Sequence, residues 1–304
     1  MAREPYGDQV QLLIDVLPVI AGEPDFALKG GTAINLFFRD LPRLSIDIDL
    51  TFLPVKHRDQ SLREINEAMD RIAAEGARLA GVKSSRIPGG GGGATRIRFE
   101  RGGVSVKVET SPVTRGVVFA PSMRRVAEQV EDRFGFAETL VASFEDVFAG
   151  KIHAALDRQH PRDLFDIKLL YEEEGLTDAL FRAFMVYLAS SSRPPHEILA
   201  PKFSPLNEVY DREFAGMALR EIRIEDLEAA RKRLVDDVQS RLRDEYAQFL
   251  RGLIMAEPDF SLIGVSAAAD LPAVRWKLQN LARLMDANPE KHRLQAEALN
   301  ALLR

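Results

Sequence analysis

An alternating stretch near residue 50 constrains the fold most strongly. In residues 45–52, isoleucine, leucine and phenylalanine occupy every second position, with serine, aspartate and threonine between them. Because successive side chains of a strand point to opposite faces, this period of two predicts a β-strand with one apolar and one polar face. The polar face carries Asp47 and Asp49, so the sheet must hold two carboxylates side by side.

Further elements are predicted on both sides of this strand. Apolar periodicity predicts helices, and short β-branched runs predict strands. The predicted helices are residues 8–20, which Pro18 should disturb at its end, a segment from Thr32 to about Arg39 with Thr32 as its N-cap, and residues 58 to about 79. The other predicted strands are residues 27–29, 95–100 and 104–110, the last two joined by a turn at residues 101–103.

The distribution of these signals predicts an α+β protein in two parts. Strand signals vanish beyond about residue 140, and helical periodicity continues to the C-terminus. The chain of 304 residues is long enough for two domains. We therefore expect an α/β domain with a small mixed sheet at residues 1–140 and a mainly helical domain at residues 141–304. The run Gly89–Gly93 predicts a loop, either a flap or a linker, and it lacks the ending of a P-loop.

Composition narrows the class of protein. The net charge is −5, which argues against an overall basic nucleic-acid coat but leaves room for a local basic groove. The chain has no cysteine, which excludes disulfides and thiolate chemistry. It shows neither the apolar core of a signal peptide nor the roughly 20 apolar residues of a membrane span. We expect a soluble cytoplasmic protein without a membrane partner.

Asp47 and Asp49 are the first candidate site. Same-face neighbours of a strand are about 6.6 Å apart, and two like charges at that distance repel by about 2–3 kcal/mol at an effective dielectric near 20. A bridging Mg²⁺, which takes one or two carboxylates and completes its shell with water and phosphate oxygens, would relieve the repulsion. The alternative is the solvated polar face of an edge strand.

A double glycine upstream adds a candidate phosphate cradle. Gly30 and Gly31 allow backbone conformations and close approach that other residues forbid. The helix predicted after them would offer unpaired N–H groups to a phosphate, and the hydroxyl of Thr32 or Ser45 could add a donor. A tight turn without a ligand is the alternative.

Glu109 is a third candidate carboxylate. It lies on the polar face of the strand predicted at residues 104–110. If that strand neighbours the one carrying the aspartates, Glu109 can complete the acidic cluster or act as a base for the attacking hydroxyl. Alternatively, it is a solvated glutamate paired with Lys107 or Arg96.

The later candidates lie on two predicted helices. Lys151 borders an apolar stripe and could neutralise charge on a leaving pyrophosphate, or it could be a surface lysine. Asp163 and Asp166 share one helix face after Pro161. They could orient Lys151, Arg158 and Arg162 over phosphates, or simply favour the positive end of the helix. Basic residues farther along could contact an RNA backbone or lie on solvated helix faces: Arg231, Lys232, Arg233, Arg241, Arg243, Arg275 and Lys277.

Taken together, these motifs resemble a known family. The segments that carry the resemblance start at Lys29-Gly-Gly-Thr and Arg43-Leu-Ser-Ile-Asp-Ile-Asp, continue with Val106-Lys-Val-Glu, and end with Ala149-Gly-Lys and Arg162-Asp-Leu-Phe-Asp. In this order they are similar to the AbiEii/AbiGii-type nucleotidyltransferase toxins of the DNA polymerase β-like superfamily. The resemblance covers about residues 25–175.

The resemblance implies a mixed-sheet nucleotidyltransferase domain followed by a helical domain. It implies transfer of a nucleoside monophosphate from an NTP, with Mg²⁺ or alternatively Mn²⁺ held by Asp47 and Asp49. Lys151 and either Asp163 or Asp166 match the later conserved lysine and aspartate of the family. The related MenT toxins modify the tRNA acceptor end, and AbiE toxins pair with an antitoxin. We thus expect a toxin that acts on an RNA 3′ end, with tRNA as its substrate. Rival hypotheses are transfer to a protein or small-molecule hydroxyl, and a non-catalytic NTP- or RNA-binding regulator.

Overall fold

The computed structural model describes residues 4–88 and 95–303. The described chain divides into two compact units. Unit 1 runs to Val147 and also includes Gly216–Glu221, and unit 2 comprises Phe148–Ala215 and the chain from Ile222 onward. The return segment joins unit 1 through an antiparallel bridge between Arg43 and Ala218. The domain boundary expected at residue 140 stays a prediction.

Unit 1 contains a mixed sheet of seven strands within the described residues, in the order β3-β4-β5-β2-β1-β7-β6. The strands are β1 (Phe26–Lys29), β2 (Asp47–Phe52), β3 (Lys83–Ile87), β4 (Arg96–Arg101), β5 (Val104–Thr110), β6 (Ser122–Arg125) and β7 (Glu138–Val141). The β2–β5 and β1–β7 pairs are parallel, and the other pairs are antiparallel. This mixed sheet and the helical second unit confirm the predicted α+β class.

The apolar face of the sheet forms the core of unit 1. Ile48, Leu50 and Phe52 of β2 are buried, as their alternation predicts. Two long helices pack on the sheet, α1 (Glu4–Ala21) and α3 (Arg58–Gly76). With the apolar face covered, the polar side chains of β2 and its neighbours lie on the opposite face of the sheet.

Two helix predictions need correction. Pro18 does not end α1, which continues to Ala21. The proline is exposed while Leu17 and Ile20 next to it are buried, so packing of the apolar face carries the helix past the missing N–H group. The second helix, α2 (Gly30–Ala33), begins at Gly30 with Lys29 as N-cap residue, so the N-cap assigned to Thr32 is wrong.

The segment after α2 also departs from the prediction. Instead of one regular helix to Arg39, a π-helical turn follows at Ile34–Phe38. Only four residues are therefore regular α-helix at the double glycine. An argument from the helix dipole loses strength accordingly, because the macrodipole is a sum over aligned peptide units.

Several short elements were not predicted. The strands β3, β6 and β7 and the helix α4 (Glu128–Phe134) have no strong alternation or apolar stripe in the sequence. In contrast, the hairpin between β4 and β5 is confirmed: Gly102 and Gly103 have φ of 60° and 86°. Positive φ at both turn residues is the geometry of a two-residue type I′ hairpin. The run Gly89–Gly93 lies outside the described residues.

Helices and their connecting loops make up the described residues of unit 2. Its helices are α5 (Phe144–Arg158, which begins in unit 1), α6 (Pro161–Glu173), α7 (Asp178–Ala189), α8 (Pro195–Leu199), α9 (Asn207–Glu213), α10 (Ile224–Ser240), α11 (Asp244–Ile254), α12 (Pro272–Ala287) and α13 (Pro289–Asn300). The α6 and α10 helices pack against each other. Among the described residues, the helices are all too short or too polar to cross a membrane.

Candidate active site

Four charged residues form one row across the polar face of the sheet. In the strand register, Asp49 of β2 lies opposite Lys29 of β1 on one side and Glu109 of β5 on the other, and Glu109 lies opposite Arg96 of β4. We call these four residues the charged row. Since β2 and β5 are direct neighbours, the condition set for Glu109 is met, and Asp49 and Glu109 are adjacent across the strands.

Asp47 begins a second row next to the first. It lies opposite Lys107 of β5, whose Nζ is 4.0 Å from Asp47 Oδ1 and 3.1 Å from Glu109 Oε2. Arg96 Nε lies 3.2 Å from the same oxygen of Glu109. Glu109 thus forms the two ion pairs foreseen in the alternative interpretation, while it also adjoins Asp49.

The double glycine is required by the position of Asp49. Gly30 has a φ of 72°, and a Cβ on it would overlap Oδ2 of Asp49 and lie 3.0 Å from its Cβ. A Cβ on Gly31 would lie 2.9 Å from Ser45 Oγ and 3.1 Å from a guanidinium nitrogen of Arg43. Side chains longer than hydrogen would therefore displace the groups that surround the aspartate.

The two hydroxyls proposed for the phosphate cradle differ in their surroundings. Thr32 is fully buried, its hydroxyl donates to the backbone oxygen of Asp47, and it lies 3.1 Å from Ser45 Oγ. This contact holds the start of β2 against α2, so Thr32 supports the aspartates rather than facing a ligand. Ser45 is only half-buried and lies between Thr32 and Gly31.

Lys29 is a residue that the sequence analysis quoted in a motif but did not assign to the site. Burial lowers the pKa of its ammonium, while the carboxylates of Asp49, Asp146 and Glu109 raise it in part. Its position at the end of β1, directly before the double glycine, was the available signal. Without the strand register, nothing indicated that it would lie opposite Asp49.

Asp146 was likewise missed. It is buried, and its carboxylate accepts hydrogen bonds from the backbone N–H groups of Val118 and Phe119 at 2.9 and 2.8 Å. The hydroxyl of Ser143 also donates to it at 2.8 Å. These contacts fix the loop after β5 to the start of α5, and they place a third carboxylate near Lys29.

A cavity of about 260 Å³ opens beside the charged row. It is lined mainly by polar and charged residues of β1, β2, β4 and β5 and of the segments before β4 and after β5: Lys29, Asp49, Leu50, Thr95, Arg96, Glu109, Thr110, Ser111 and Pro112. A pocket of this polarity suits a charged ligand rather than an apolar one.

The donor set at Asp47 and Asp49 fits a magnesium ion bound mainly by water and substrate. Residues 4–88 and 95–303 contain no group of three or more His, Asp or Glu side chains arranged to hold a metal. Two neighbouring carboxylates on an accessible sheet face nevertheless match the needs of Mg²⁺, which keeps several waters and takes phosphate oxygens from the substrate. Glu109 already pairs with two cations, so it is less available as a third metal ligand.

In unit 2, the later candidates form a buried ion-pair cluster. Lys151 is 7% exposed, and its Nζ lies 2.7 Å from Asp163 Oδ1 and 3.0 Å from Asp166 Oδ2. Arg158 Nε donates to Asp163 Oδ2 at 2.6 Å. The surface-lysine alternative for Lys151 is therefore wrong. Burial by itself would raise the pKa of Asp163, but Lys151 and Arg158 outweigh it and hold that pKa well below its ordinary value.

The start of α6 explains why the two aspartates converge on one lysine. Pro161 occupies the first turn, and the N–H of Arg162 donates to Nδ1 of His160, the N-cap residue, at 3.1 Å. Asp163 and Asp166 then follow at i and i+3 on the buried face. Arg162 does not join them and lies 3.6 Å from Glu213.

Two of the basic residues suggested as RNA contacts are buried instead. The guanidinium of Arg231 donates to Gln159 Oε1 and to the backbone oxygen of Ser204. Lys277 donates to the backbone oxygen of Arg193 at 2.6 Å, and burial lowers its pKa to about 8. Both side chains stabilise unit 2, so their assignment to an RNA surface is wrong.

Comparison with known proteins identifies the family. Residues 11–280 match the profile of the nucleotidyl transferase AbiEii toxin of type IV toxin–antitoxin systems. The chain belongs to the AbiEii family. Membership confirms the resemblance noted from the motifs, and it makes the chain a nucleotidyltransferase and a toxin of a type IV system, which implies an NTP substrate and an antitoxin.

A solved structure confirms the fold of this AbiEii protein. MenT4, a nucleotidyltransferase toxin from Mycobacterium tuberculosis, superposes with a TM-score of 0.56 at 16% sequence identity. The match covers 99% of this chain and 96% of the MenT4 chain. No curated protein sequence matches the chain significantly.

Proposed function

We propose that the chain transfers a nucleoside monophosphate from an NTP to the 3′ end of an RNA, with the tRNA acceptor end as the substrate. The observation that carries the proposal is the charged row. It sets Asp49 between Lys29 and Glu109, beside Asp47 and against the backbone of Gly30. One region of the sheet thus combines carboxylates for a metal, a carboxylate base and an unobstructed backbone for phosphates.

Asp47 and Asp49 would hold Mg²⁺, with Mn²⁺ as the alternative ion. When bound, the ion would neutralise charge on the triphosphate and so favour the departure of pyrophosphate. The chain itself contributes by fixing both carboxylates through β2. Thr32 anchors the start of that strand, and the lack of a side chain at Gly30 leaves room for Asp49.

Phosphate binding would use the segment around the double glycine. Gly30 and Gly31 bring backbone close to Asp49 and Ser45, so the triphosphate oxygens can approach the main chain. The half-buried hydroxyl of Ser45 is a further donor. Thr32 is left out of the phosphate contacts because its buried hydroxyl donates to the backbone of Asp47.

Glu109 would take the proton of the attacking hydroxyl. The acceptor 3′-oxygen forms a bond to the α-phosphorus, the bond between that phosphorus and the bridging oxygen breaks, and pyrophosphate leaves with the electron pair. The proton passes to the carboxylate of Glu109, which Arg96 and Lys107 flank at 3.2 and 3.1 Å.

The buried cluster of unit 2 contains the two cations for which the family resemblance implies a role in triphosphate binding. Asp163 and Asp166 hold Lys151, and Asp163 also holds Arg158. The triphosphate role that the family resemblance implies for Lys151 and Arg158 stays a proposal, and the two aspartates fix both side chains. Arg158 is largely exposed, so its guanidinium is accessible to a phosphate while one edge pairs with Asp163.

The test is label transfer from each α-labelled NTP to total tRNA, with RNA and protein separated on gels. The wild type should label RNA, and Asp49→Asn should lose at least about 100-fold in rate because it removes a metal carboxylate. Asp59→Asn, at an exposed position in α3, is the matched control and should retain the wild-type rate.

Other outcomes favour the rival hypotheses. Label on protein or on a small molecule, with none on RNA, would show a different acceptor. Nucleotide binding without release of pyrophosphate would support the non-catalytic regulator. Full RNA labelling by folded Asp49→Asn would contradict the assignment of the metal site.

A further inference from the structure

The polar face of the sheet extends past the charged row towards β3. On β4, Arg98 follows Arg96 on the same face and lies opposite Lys107 of β5. Same-face neighbours along a strand are about 6.8 Å apart, and adjacent strands are about 4.8 Å apart. Arg96, Arg98 and Lys107 therefore form a compact group, here called the basic triangle, beside Glu109.

The pairing within this triangle is unfavourable for the protein alone. Arg98 and Lys107 are directly opposed cations on neighbouring antiparallel strands, an arrangement that destabilises a sheet. Their ion pairs point away from each other: Lys107 lies 3.1 Å from Glu109, and Arg98 lies 3.7 Å from Glu100. Each cation pairs with a carboxylate of its own strand, yet the two cations stay directly opposed, so a phosphate bound between them would relieve their repulsion.

The three side chains are accessible to such an anion. Arg96, Arg98 and Lys107 have side-chain exposures of 48%, 52% and 38%. The guanidinium group matches the geometry of phosphate oxygens, and lysine binds phosphate as a point charge. This cationic group lies on a chain whose net charge is −5, so the basic character is local.

The position of the triangle identifies which substrate it serves. In the charged row, Glu109 lies between Arg96 and Asp49, and the double glycine proposed for the triphosphate lies beyond Asp49, next to β1. Lys107 of β5 lies opposite Asp47 of β2, also on the side away from β1. The triangle is therefore on the acceptor side of the site. An RNA strand that lies on the triangle would bring its 3′ hydroxyl to Glu109. The phosphates before that hydroxyl would then contact the cations of the triangle.

We infer that the basic triangle of Arg96, Arg98 and Lys107 binds the backbone phosphates of the acceptor RNA next to its 3′ end. The inference rests on the proposed function, because it assigns the RNA a path on the same sheet face. Arg98 is the residue to change, since its ion pair is to Glu100, whereas Arg96 and Lys107 contact Glu109.

The experiment measures binding of fluorescent tRNA to the full chain without NTP, in salt from about 50 to 200 mM. Each phosphate contact contributes about 0.7–0.9 to the slope of log affinity against log salt, or roughly threefold in affinity over this range. Arg98→Ala should lower the slope by that amount and weaken binding at low salt about threefold or more. Arg98→Lys should retain most of the slope.

Arg78→Ala is the matched control. Arg78 is exposed in the same unit and, like Arg98, pairs with a nearby glutamate, Glu75, but it lies after α3 and away from the polar sheet face. It should bind tRNA with the wild-type slope. Equal slopes for Arg98→Ala and Arg78→Ala, or a wild type that does not bind tRNA, would overturn the inference.

Label transfer separates this inference from the proposed function. Arg98→Ala should raise the KM for RNA and leave kcat within about twofold, because the contact is made in ground and transition state alike. If tRNA binding depends on Arg98 but no RNA is labelled by the wild type, the surface stands and the proposed reaction fails. If RNA is labelled with no effect of Arg98→Ala on KM, the reaction stands and the surface is wrong.

Discussion

Among the described residues, two clusters each combine a lysine with carboxylates, and the exposure of their aspartates differs. In unit 1, Asp49 and Glu109 lie beside Lys29 on an accessible sheet face, which we call the open cluster. In unit 2, Asp163 and Asp166 enclose Lys151 with almost no exposure, which we call the buried cluster.

The same residue types stabilise the protein where they are buried and can bind ions or protons where they are exposed. In the buried cluster, the desolvated carboxylates need a permanent cation, and Lys151 supplies it at hydrogen-bond distance. In the open cluster, water screens the carboxylates, so they can remain charged and take a metal ion or a proton from outside. Residue type alone would have assigned both clusters the same role.

Removing the lysine of the buried cluster should have the largest effect on stability. Lys151→Met leaves Asp163 and Asp166 buried without that partner, and we expect a loss of about 3–5 kcal/mol in the free energy of unfolding. Urea unfolding followed by circular dichroism measures it. Lys168→Met is the control on α6, since Lys168 forms a partly exposed i,i+4 pair with Glu172 worth less than about 1 kcal/mol. Similar losses in both variants would remove the distinction between the clusters.

A side chain at Gly30 should disturb the open cluster with a moderate cost in stability. In Gly30→Ala, the new Cβ would sit at a φ of 72° and overlap the carboxylate of Asp49. We expect the free energy of unfolding to fall by about 1–2 kcal/mol and label transfer to be strongly reduced. Gly216→Ala is matched in φ, at 77°, and open space surrounds its Cβ position. It should show the backbone cost but transfer label normally. Normal transfer by Gly30→Ala would contradict the proposed position of Asp49.

The lysine of the open cluster should matter least for stability. Lys29→Met removes an ammonium whose burial is already unfavourable. It leaves Asp49 and Glu109, which water can still screen, and the buried Asp146, which keeps its three hydrogen bonds. We expect the free energy of unfolding to stay within about 1 kcal/mol of the wild type in the same urea assay. A loss as large as that expected for Lys151→Met would mean that the open cluster is equally dependent on its lysine.

Much of the fold was predictable because its signals are local. The alternation of β2 and β5, the glycine turn between β4 and β5, and the proline at the start of α6 each act through neighbouring residues. The strands β3, β6 and β7 were missed because their partners, not their own patterns, hold them in the sheet. Thr32 was misplaced as an N-cap because its hydroxyl bonds to Asp47 of the next strand.

The candidate site divides in the same way. By itself, the sequence determined the motifs: the aspartates on one face of β2, the double glycine, Glu109 on its own strand, and Asp163 and Asp166 on one helix face. These follow from the fixed periods of strand and helix. Only the tertiary structure decided which strands pair, so that Lys29 lies opposite Asp49 and Arg98 lies opposite Lys107. It also decided that Lys151 and Arg231 are buried. Strand register and burial depend on segments far apart in the chain, so no local pattern can specify them.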